Sequence, residues 1–282
     1  MRTIHALFPV IAIFLGFVAT PAAAEIINPV VRLTINGQYS MDVELFAGDV
    51  PETVANFLAY VGAGSYTNTI IHRSTTGQVL RDEFGQPVLD PSGNEIPVWV
   101  IQGGGFGLTS VEPVALGSIP TNAPIPLQAG LSNVRGTLAM ARTNDPNSAT
   151  SQWFFNVSDN SVIFDPIVDL SSGTVLRDGY AVFGRIIPNV QPPLNPSLSG
   201  YDLLDAIAGV PYYDARSFFP GFPVGELPLL QPVIAAENFI FVTSIAAVPE
   251  PSTWALAGIG IVGAALAGRR RISSRRASAR AR

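Results

Sequence analysis

Three residues have side chains of types that could do chemistry together: Arg73, Gln102 and Phe154. An arginine stays protonated and presents rigid N–H donors, so it can stabilise a developing lone pair without any proton transfer. A glutamine can orient that donor or a substrate carbonyl, and an aromatic ring can form the floor of an apolar pocket. The combination points to electrostatic stabilisation beside an apolar pocket rather than to a nucleophile.

The local pattern places the first two of these side chains. Arg73 follows the β-type run Thr69–His72, and a period of two sends it to the face opposite His72, which we interpret as structural. The alternative for Arg73 is a surface ion pair with one of the many carboxylates. Gln102 ends the apolar run Val98–Ile101 and leads into three glycines, which allow a second backbone to come close. Gln102 could instead be a cap at the end of the strand.

The aromatic run after Ser151 contains the third candidate. Alternation puts Gln152 and Phe154 on one face of the run and Trp153 and Phe155 on the other. We therefore expect Phe154 to face a different environment from its two aromatic neighbours. The alternative is that all three aromatic residues belong to the core.

Other chemistries lack the residues that they need. The chain has no Cys and only two His, His5 and His72, which excludes disulfides and thiolates and argues against zinc. The glycine run Gly103–Gly107 is not followed by a helical pattern, as a phosphate-binding loop requires. Asp90–Asn94 faintly resembles a calcium loop, but Ile101 stands where its glutamate belongs. We expect no metal and no cofactor.

Charge is segregated along the chain. Its 282 residues are 48% hydrophobic and 13% charged, a composition that can bury a large core. All 21 acidic residues lie between Glu25 and Glu250, where there are eight Arg and no Lys, so this body carries a net charge of −13. Seven Arg are gathered between Arg269 and Arg282. The acidic body argues against a nucleic-acid partner.

Residues 1–24 have the pattern of a secretory signal peptide. Arg2 precedes an apolar run from Ile4 to Ala19, and Ala22–Ala24 supply a small-residue cleavage site. A transmembrane anchor is the alternative, but the apolar run is short for one. We expect cleavage after Ala24 and an exported protein.

Residues 249–282 have the pattern of a sorting signal. The uncharged run Ser252–Gly268 is long enough to cross a bilayer as a helix, and Arg269–Arg271 would stop it on the cytoplasmic side. With the preceding Pro249–Pro251, this resembles a PEP-CTERM sorting signal, which implies processing by an exosortase in a Gram-negative envelope. A permanent tail anchor is the alternative. A nucleic-acid-binding role for residues 269–282 is least favoured, because an apolar span precedes them.

Residues 25–248 remain as one domain, which we predict to be mainly β. Val30–Ile35 and Tyr39–Leu45 alternate and are split by Asn36-Gly37, a strong hairpin signal. A helix begins near Pro51 and ends at glycines. The remaining predictions are strands at Thr69–His72, Val98–Gln102, Thr137–Ala141, Gln152–Val157, Ala181–Ile187 and Phe239–Ala246, and a second helix at Tyr201–Ala208.

Many short strands with two helices favour a closed antiparallel barrel over a parallel sheet. Between the strands lie segments rich in Gly, Pro, Asp or Asn, which we interpret as long surface loops. These segments are residues 74–96, 166–178, 190–200 and 210–232.

Three motifs stand in order along this domain: IIHR at Ile70–Arg73, VIQGGGFG at Val100–Gly107, and GTLAMARTNDPNSATSQWFFNV at Gly136–Val157. Together they resemble the cyclophilin-type peptidyl-prolyl cis-trans isomerases of bacteria, and the resemblance covers most of Val30–Ala246. It implies a closed eight-stranded antiparallel β-barrel with a helix capping each end, extended here by long loop insertions. It also implies catalysis of rotation about X–Pro peptide bonds.

The resemblance assigns roles residue by residue. Arg73 would be the donor to the prolyl nitrogen, Gln102 would orient it or the substrate, and Phe154 would be the floor of the proline pocket. Phe164 or Ile163 should occupy a position near that pocket. The other implied substrate-binding residues are Trp99, Val100, the backbone of Ala141 and Arg142, Gln152 and Tyr180.

The sequence thus predicts an exported isomerase that acts on proline-containing segments of envelope or secreted proteins and assists their folding. We expect a monomer in the periplasm or at the cell surface, held at least transiently in the inner membrane by its C-terminal helix. One alternative is a non-catalytic, surface-sorted module that binds proline-containing peptides or matrix, which would have no need of a cation at Arg73. Another is an envelope structural protein dominated by its loops.

Overall fold

The computed structural model describes residues 28–75, 77–79, 86–89, 92–188 and 198–249. The predicted signal peptide, residues 190–197 of the predicted loop 190–200, the apolar run 252–268 and the Arg-rich tail lie outside the described residues. Within them the chain is mainly β, as predicted. The strands are β1 Val30–Ile35, β2 Tyr39–Leu45, β3 Thr69–Ile70, β4 Arg73–Ser74, β5 Gln78–Val79, β6 Pro97–Val98, β7 Val100–Gly103, β8 Phe106–Val111, β9 Val114–Ser118, β10 Thr137–Met140, β11 Trp153–Asn156, β12 Ile167–Val168, β13 Val175–Arg177, β14 Val182–Ile186, β15 Tyr212–Tyr213, β16 Leu227–Pro228 and β17 Phe241–Ala247.

Three α-helices accompany the strands: α1 Pro51–Gly62, α2 Ser161–Phe164 and α3 Gly200–Ala208, with a 3₁₀ turn at Ala236–Asn238. Pro stands in the first turn of α1, where its missing N–H costs nothing. A capping box starts α3: the Ser199 hydroxyl accepts from the backbone of Asp202, whose side chain accepts from the backbone of Ser199. The two predicted helices are therefore present at their predicted places, and the single turn α2 is additional.

Eleven strands form one sheet in the order β4-β7-β11-β10-β14-β2-β1-β17-β3-β8-β9. The β1–β2 hairpin turns at Asn36 and Gly37, both with positive φ (48° and 68°), the backbone that this dipeptide favours. The strand order is linear, so the predicted closure into an eight-stranded barrel is not confirmed. Of the predicted strand Thr69–His72, only Thr69 and Ile70 are in a strand, β3; Ile71 and His72 link it to β4, which lies at a distant place in the order.

The main core lies between the sheet and helices α1 and α3. It contains fully buried side chains from the hairpin, such as Leu33 and Val43, together with Phe57 of α1 and Leu204 of α3. Trp153 is completely buried in the same cluster. Burial on this scale anchors β11, and with it the site described below.

A second core lies where the sequence predicted a surface loop. Within residues 210–232, Phe219, Val224, Leu227 and Leu229 are buried and pack in one cluster with Ile70 of β3. This segment also forms the small β15–β16 sheet. The loop prediction was wrong here because the proline-rich composition conceals enough large apolar side chains to form a core of their own.

Strands β8 and β9 were also absent from the sequence prediction. They form an antiparallel hairpin that turns at Glu112-Pro113, and β8 pairs with β3 through Thr69 and Gly107. Glycines and prolines lowered the β signal of this region. Among the described residues, no helix has both the length and the apolar character needed to cross a membrane.

Candidate functional site

The three residues Arg73, Gln102 and Phe154 occupy one row across three neighbouring strands. Arg73 of β4 is opposite Gln102 of β7, and Gln102 is opposite Phe154 of β11. The row continues through Ala139 of β10 to Val182 of β14. Directly opposed residues of antiparallel strands project from the same face of a sheet. The structure therefore brings the three residues together on one face, although they are distant in sequence.

Phe154 lies at the centre of an aromatic cluster. Its ring is 5.6 Å from that of Phe164 and 5.5 Å from that of Tyr180, both edge-to-face, and those two rings are 4.9 Å apart. Phe154 is buried with Val100, Ala139 and Val182 in a core separate from that of Trp153 and Phe155. The predicted alternation of faces is present. Such T-shaped contacts hold the rings in fixed positions.

Arg73 is half-exposed and forms an ion pair. Its side chain is 42% exposed, and its Nε donates to Glu226 Oε2 at 2.5 Å. The other carboxylate oxygen of Glu226 accepts from Gln78 Nε2 at 3.0 Å. The Gln102 Nε2 donates to Gln152 Oε1 at 2.8 Å, so Gln102 contacts the second predicted glutamine.

A cleft of about 630 Å³ opens beside this row. Arg73 and Val100 of the sheet line it, together with Phe164 and Tyr180 of the aromatic cluster, whereas Gln102 and Phe154 are not among the lining residues. Phe164, rather than Ile163, therefore meets the cleft. The rest of the lining comes from Thr75, Gly77, Gln78, Val79 and Val98.

Trp99 does not line the cleft. It lies between Val98 and Val100, both of which do, and alternation turns it to the other side. The Trp99 backbone is held by Asn160, whose Nδ2 donates to the Trp99 carbonyl at 3.1 Å. Its side chain is 38% exposed. The sequence analysis did not name Val98, because the family resemblance pointed to its neighbour Trp99. The alternation of side chains along a strand, counted from Val100, would have selected Val98.

Three further predicted residues lie near the aromatic cluster of Phe154: Ala141, Arg142 and Gln152. The Ala141 N–H donates to the Gln152 carbonyl at 2.9 Å, so it continues the β10–β11 pairing. Arg142 donates from Nε and Nη2 to the Gly179 carbonyl at 3.0 and 2.8 Å, and its guanidinium lies 4.7 Å from the centre of the Tyr180 ring. Arg142 thus fixes the Tyr180 ring through a cation–π contact.

His72 points away from the cleft into the protein. It is 1% exposed and lies edge-to-face on Phe106, with ring centres 4.7 Å apart. Burial lowers the pKa of His72, and the positive charge of Arg73 lowers it further, to about 3. The imidazole is therefore neutral near pH 7 and is not available as an imidazolium acid. Among the described residues no group of three or more His, Cys, Asp or Glu could hold a metal ion.

Glycines after β7 allow Trp153 to lie against the backbone of the site. Gly104 has φ of 77°, and a Cβ built there would lie 2.6 Å from Trp153 Nε1 and 2.7 Å from the Ser151 carbonyl. A side chain at this position would meet both left-handed strain and a buried ring.

We expect Gly104→Ala to lower the free energy of unfolding by about 1–3 kcal/mol more than Gly37→Ala does. Gly37 is the matched control because it has a similar φ of 68° but nothing within 4 Å of a built Cβ. Urea unfolding of both variants measures the difference. Equal losses would show that the packing against Trp153 relaxes without cost.

Comparisons with known proteins identify the family of the chain. The family model described as cyclophilin-type peptidyl-prolyl cis-trans isomerase matches residues 30–220, and the model of the PEP-CTERM protein-sorting motif matches residues 247–271. A peptidyl-prolyl cis-trans isomerase of Acinetobacter baylyi is 36% identical over 203 residues, which cover 71% of this chain and 82% of the relative. Peptidyl-prolyl cis-trans isomerase B of Escherichia coli is 36% identical over 170 residues, covering 60% of this chain and 77% of the relative.

Similarity to solved structures is looser. The crystal structure of a cyclophilin-type isomerase from Cryptosporidium parvum aligns with 79% of this chain and 99% of its own, at 20% identity and a TM-score of 0.46. The family model and the bacterial relatives therefore decide the assignment. The chain belongs to the cyclophilin-type peptidyl-prolyl cis-trans isomerases, the class of enzymes that rotate X–Pro peptide bonds, and it ends in a PEP-CTERM sorting motif.

Proposed function

We propose that this enzyme rotates X–Pro bonds by holding the Arg73 guanidinium against the prolyl nitrogen. The observation that carries the proposal is the single cross-strand row of Arg73, Gln102 and Phe154. The row has a cation, an amide and an aromatic ring on one face of the sheet, and Arg73 also lines the cleft, whose volume of about 630 Å³ is within the range of ligand pockets.

The chemistry requires only that the twisted bond be stabilised more than the planar one. Amide resonance gives the bond its barrier of about 18–20 kcal/mol. As the bond twists, the nitrogen regains a lone pair, which an N–H donor of Arg73 can bind. Because this lone pair exists only in the twisted state, the hydrogen bond lowers the barrier without tightening ground-state binding to the same degree.

The apolar side of the site would hold the proline ring while the rest of the peptide rotates. In this proposal Phe154, Phe164 and Tyr180 provide rigid ring faces, and Val100 completes the wall. The Gln102–Gln152 pair would bind the carbonyl before the proline. Backbone at Ala141 and Arg142 would pair with the extended peptide, as in β-strand addition. Trp99 lies outside the cleft and has no part in this proposal.

The test is NMR exchange spectroscopy on an Ala-Pro or Phe-Pro peptide in the presence of the purified chain. Without a catalyst, cis–trans exchange takes tens to hundreds of seconds. With the chain present, we expect it to become fast enough for exchange spectroscopy to detect. Binding of the peptide without faster exchange would contradict the proposal and favour the alternative of a non-catalytic peptide-binding module.

We propose that the sheet closes into a barrel through the bend between β3 and β4. Only Ile71 and His72 separate these strands. Ile71 N–H donates to the Ile240 carbonyl at 2.9 Å on one side of the bend, and His72 N–H donates to the Gln102 carbonyl at 3.0 Å on the other. These two bonds support a continuous ladder around the bend, with eight strands in the ring and β8–β9 beyond it.

We further propose that the enzyme works on exported proteins in the envelope of a Gram-negative bacterium. The support is the signal-peptide pattern of residues 1–24 and the sorting motif at residues 247–271. The apolar run 252–268 would hold the chain in the inner membrane until an exosortase-type enzyme cleaves near Pro249–Pro251.

Mass spectrometry of the protein from envelope fractions should find an N-terminus at Glu25 and a C-terminus near Pro251. Both signals would then have been removed, as a cleaved signal peptide and a processed sorting motif require. An intact C-terminal Arg282 in the envelope-localised protein would contradict processing and favour a permanent tail anchor.

A further inference from the structure

The carboxylate that pairs with Arg73 comes from the segment between α3 and β17, to which the sequence assigned no role. Glu226 immediately precedes β16, within the second core. Its two oxygens serve different partners: Oε2 accepts from Arg73 Nε at 2.5 Å and Oε1 accepts from Gln78 Nε2 at 3.0 Å. Gln78 belongs to another of the four long segments, residues 74–96. Two segments without assigned roles therefore meet at the proposed catalytic arginine.

Glu226 is itself held in place. Its backbone carbonyl accepts from the Ser74 N–H at 2.8 Å, next to Arg73 in the chain. The following residue, Leu227, is completely buried in the second core. The Glu226 side chain is only 25% exposed, so the pair is partly shielded from water. A carboxylate anchored by backbone, core and a second hydrogen bond can hold the arginine side chain in one orientation.

The point of contact on the guanidinium decides what this pairing can do. Nε is the donor nearest the aliphatic stem, so a bond there fixes the plane of the group. Such a bond does not consume the terminal amino groups, which can reach into the cleft that Arg73 lines. A carboxylate across both terminal amino groups would instead compete with the substrate.

We infer that Glu226 is a positioning residue, which fixes the Arg73 guanidinium for its encounter with the prolyl nitrogen. This inference rests on the proposed function of Arg73. Without the carboxylate, a long and half-exposed side chain would sample several rotamers, and only a fraction of them would present a donor to the cleft. The two unassigned segments thus serve to pre-organise the site.

The test compares Glu226→Ala with Glu226→Gln in the full chain, using NMR exchange on an Ala-Pro peptide. Loss of a charge-assisted hydrogen bond should lower kcat/KM about tenfold in Glu226→Ala. Glu226→Gln keeps an acceptor oxygen and should lose less. The matched control is Asp205→Ala, which breaks the exposed ion pair of Asp205 with Arg135 outside the cleft and should leave the rate within about twofold.

A double variant separates positioning from a merely structural role. If Glu226 acts through Arg73, then Arg73→Ala with Glu226→Ala should be as slow as Arg73→Ala alone. The ¹⁵N resonance of Arg73 Nε should also shift in Glu226→Gln, while urea unfolding shows whether each variant is folded. A double variant slower than Arg73→Ala alone would overturn the inference.

Three further outcomes separate a failure of this inference from a failure of the function on which it rests. If Arg73→Ala is slow but Glu226→Ala and Glu226→Gln keep the wild-type rate, only the positioning role is wrong. If Glu226→Ala is faster than the wild type, the carboxylate restrains the arginine, and the inference is also overturned. If Arg73→Ala itself keeps the wild-type rate, the proposed function fails first.

Discussion

Replacing Arg73 by alanine should slow catalysed cis–trans exchange by two decades or more, a loss of roughly 2.7 kcal/mol of transition-state stabilisation. The proposed mechanism has no nucleophile and no proton transfer, so the guanidinium supplies the main difference between the planar and twisted bond. The aromatic cluster is untouched by the substitution, and peptide binding should therefore persist. NMR exchange gives the rate, and titration of the same peptide gives its affinity.

The control for this experiment is Arg135→Ala. Arg135 is similarly exposed, at 39%, and it also pairs with a carboxylate, that of Asp205, but it lies outside the cleft. It should leave the exchange rate within about twofold of the wild type, since an exposed ion pair contributes little. If Arg73→Ala and Arg135→Ala had the same rate as the wild type, the role of Arg73 in the mechanism would be disproved.

The fold should lose stability in mild acid because His72 resists protonation. In the unfolded chain a histidine has a pKa near 6.5, whereas in the folded chain that of His72 is about 3. Between these values the unfolded state binds a proton that the folded state does not, so the free energy of unfolding falls as the pH falls. The loss should be about 1.4 kcal/mol per pH unit below 6.5, or about 2 kcal/mol at pH 5.

Urea unfolding at pH 7.5 and pH 5 measures this loss, and His72→Phe is the matched variant. Phenylalanine can keep the edge-to-face contact with Phe106 but has nothing to protonate. The wild type should lose about 2 kcal/mol more than His72→Phe between the two pH values. An equal pH dependence in both proteins would show that His72 is not the group responsible.

The local elements of the fold could be predicted because each depends on neighbouring residues. Alternation and Asn36-Gly37 predicted the first hairpin with its observed bounds, and proline with an apolar stripe predicted α1. The same local rule placed Phe154 on a different face from Trp153 and Phe155. Each of these signals depends on a few neighbouring residues, and tertiary packing does not override it.

Pairings between distant segments could not be predicted in this way. The ion pair of Arg73 joins residues 153 positions apart, and neither Glu226 nor its surroundings has a local pattern that announces a partner. The sequence left two interpretations of Arg73 open, a surface ion pair and a catalytic role. The two are compatible, since the arginine both pairs with a carboxylate and lines the cleft. Residues 210–232 failed as a loop prediction for the same reason, because their apolar partners lie on β3 and β8.

The position of β17 in the sheet sets the smallest piece of this protein that can fold. This strand lies between β1 and β3, yet it begins at Phe241, beyond the stretch that matches the family model. A fragment trimmed to residues 30–220 would expose two bare strand edges and would also lack Glu226. Recombinant work on the catalytic unit should therefore keep the chain through Val248, and a newly made chain should become active only after β17 has docked between β1 and β3.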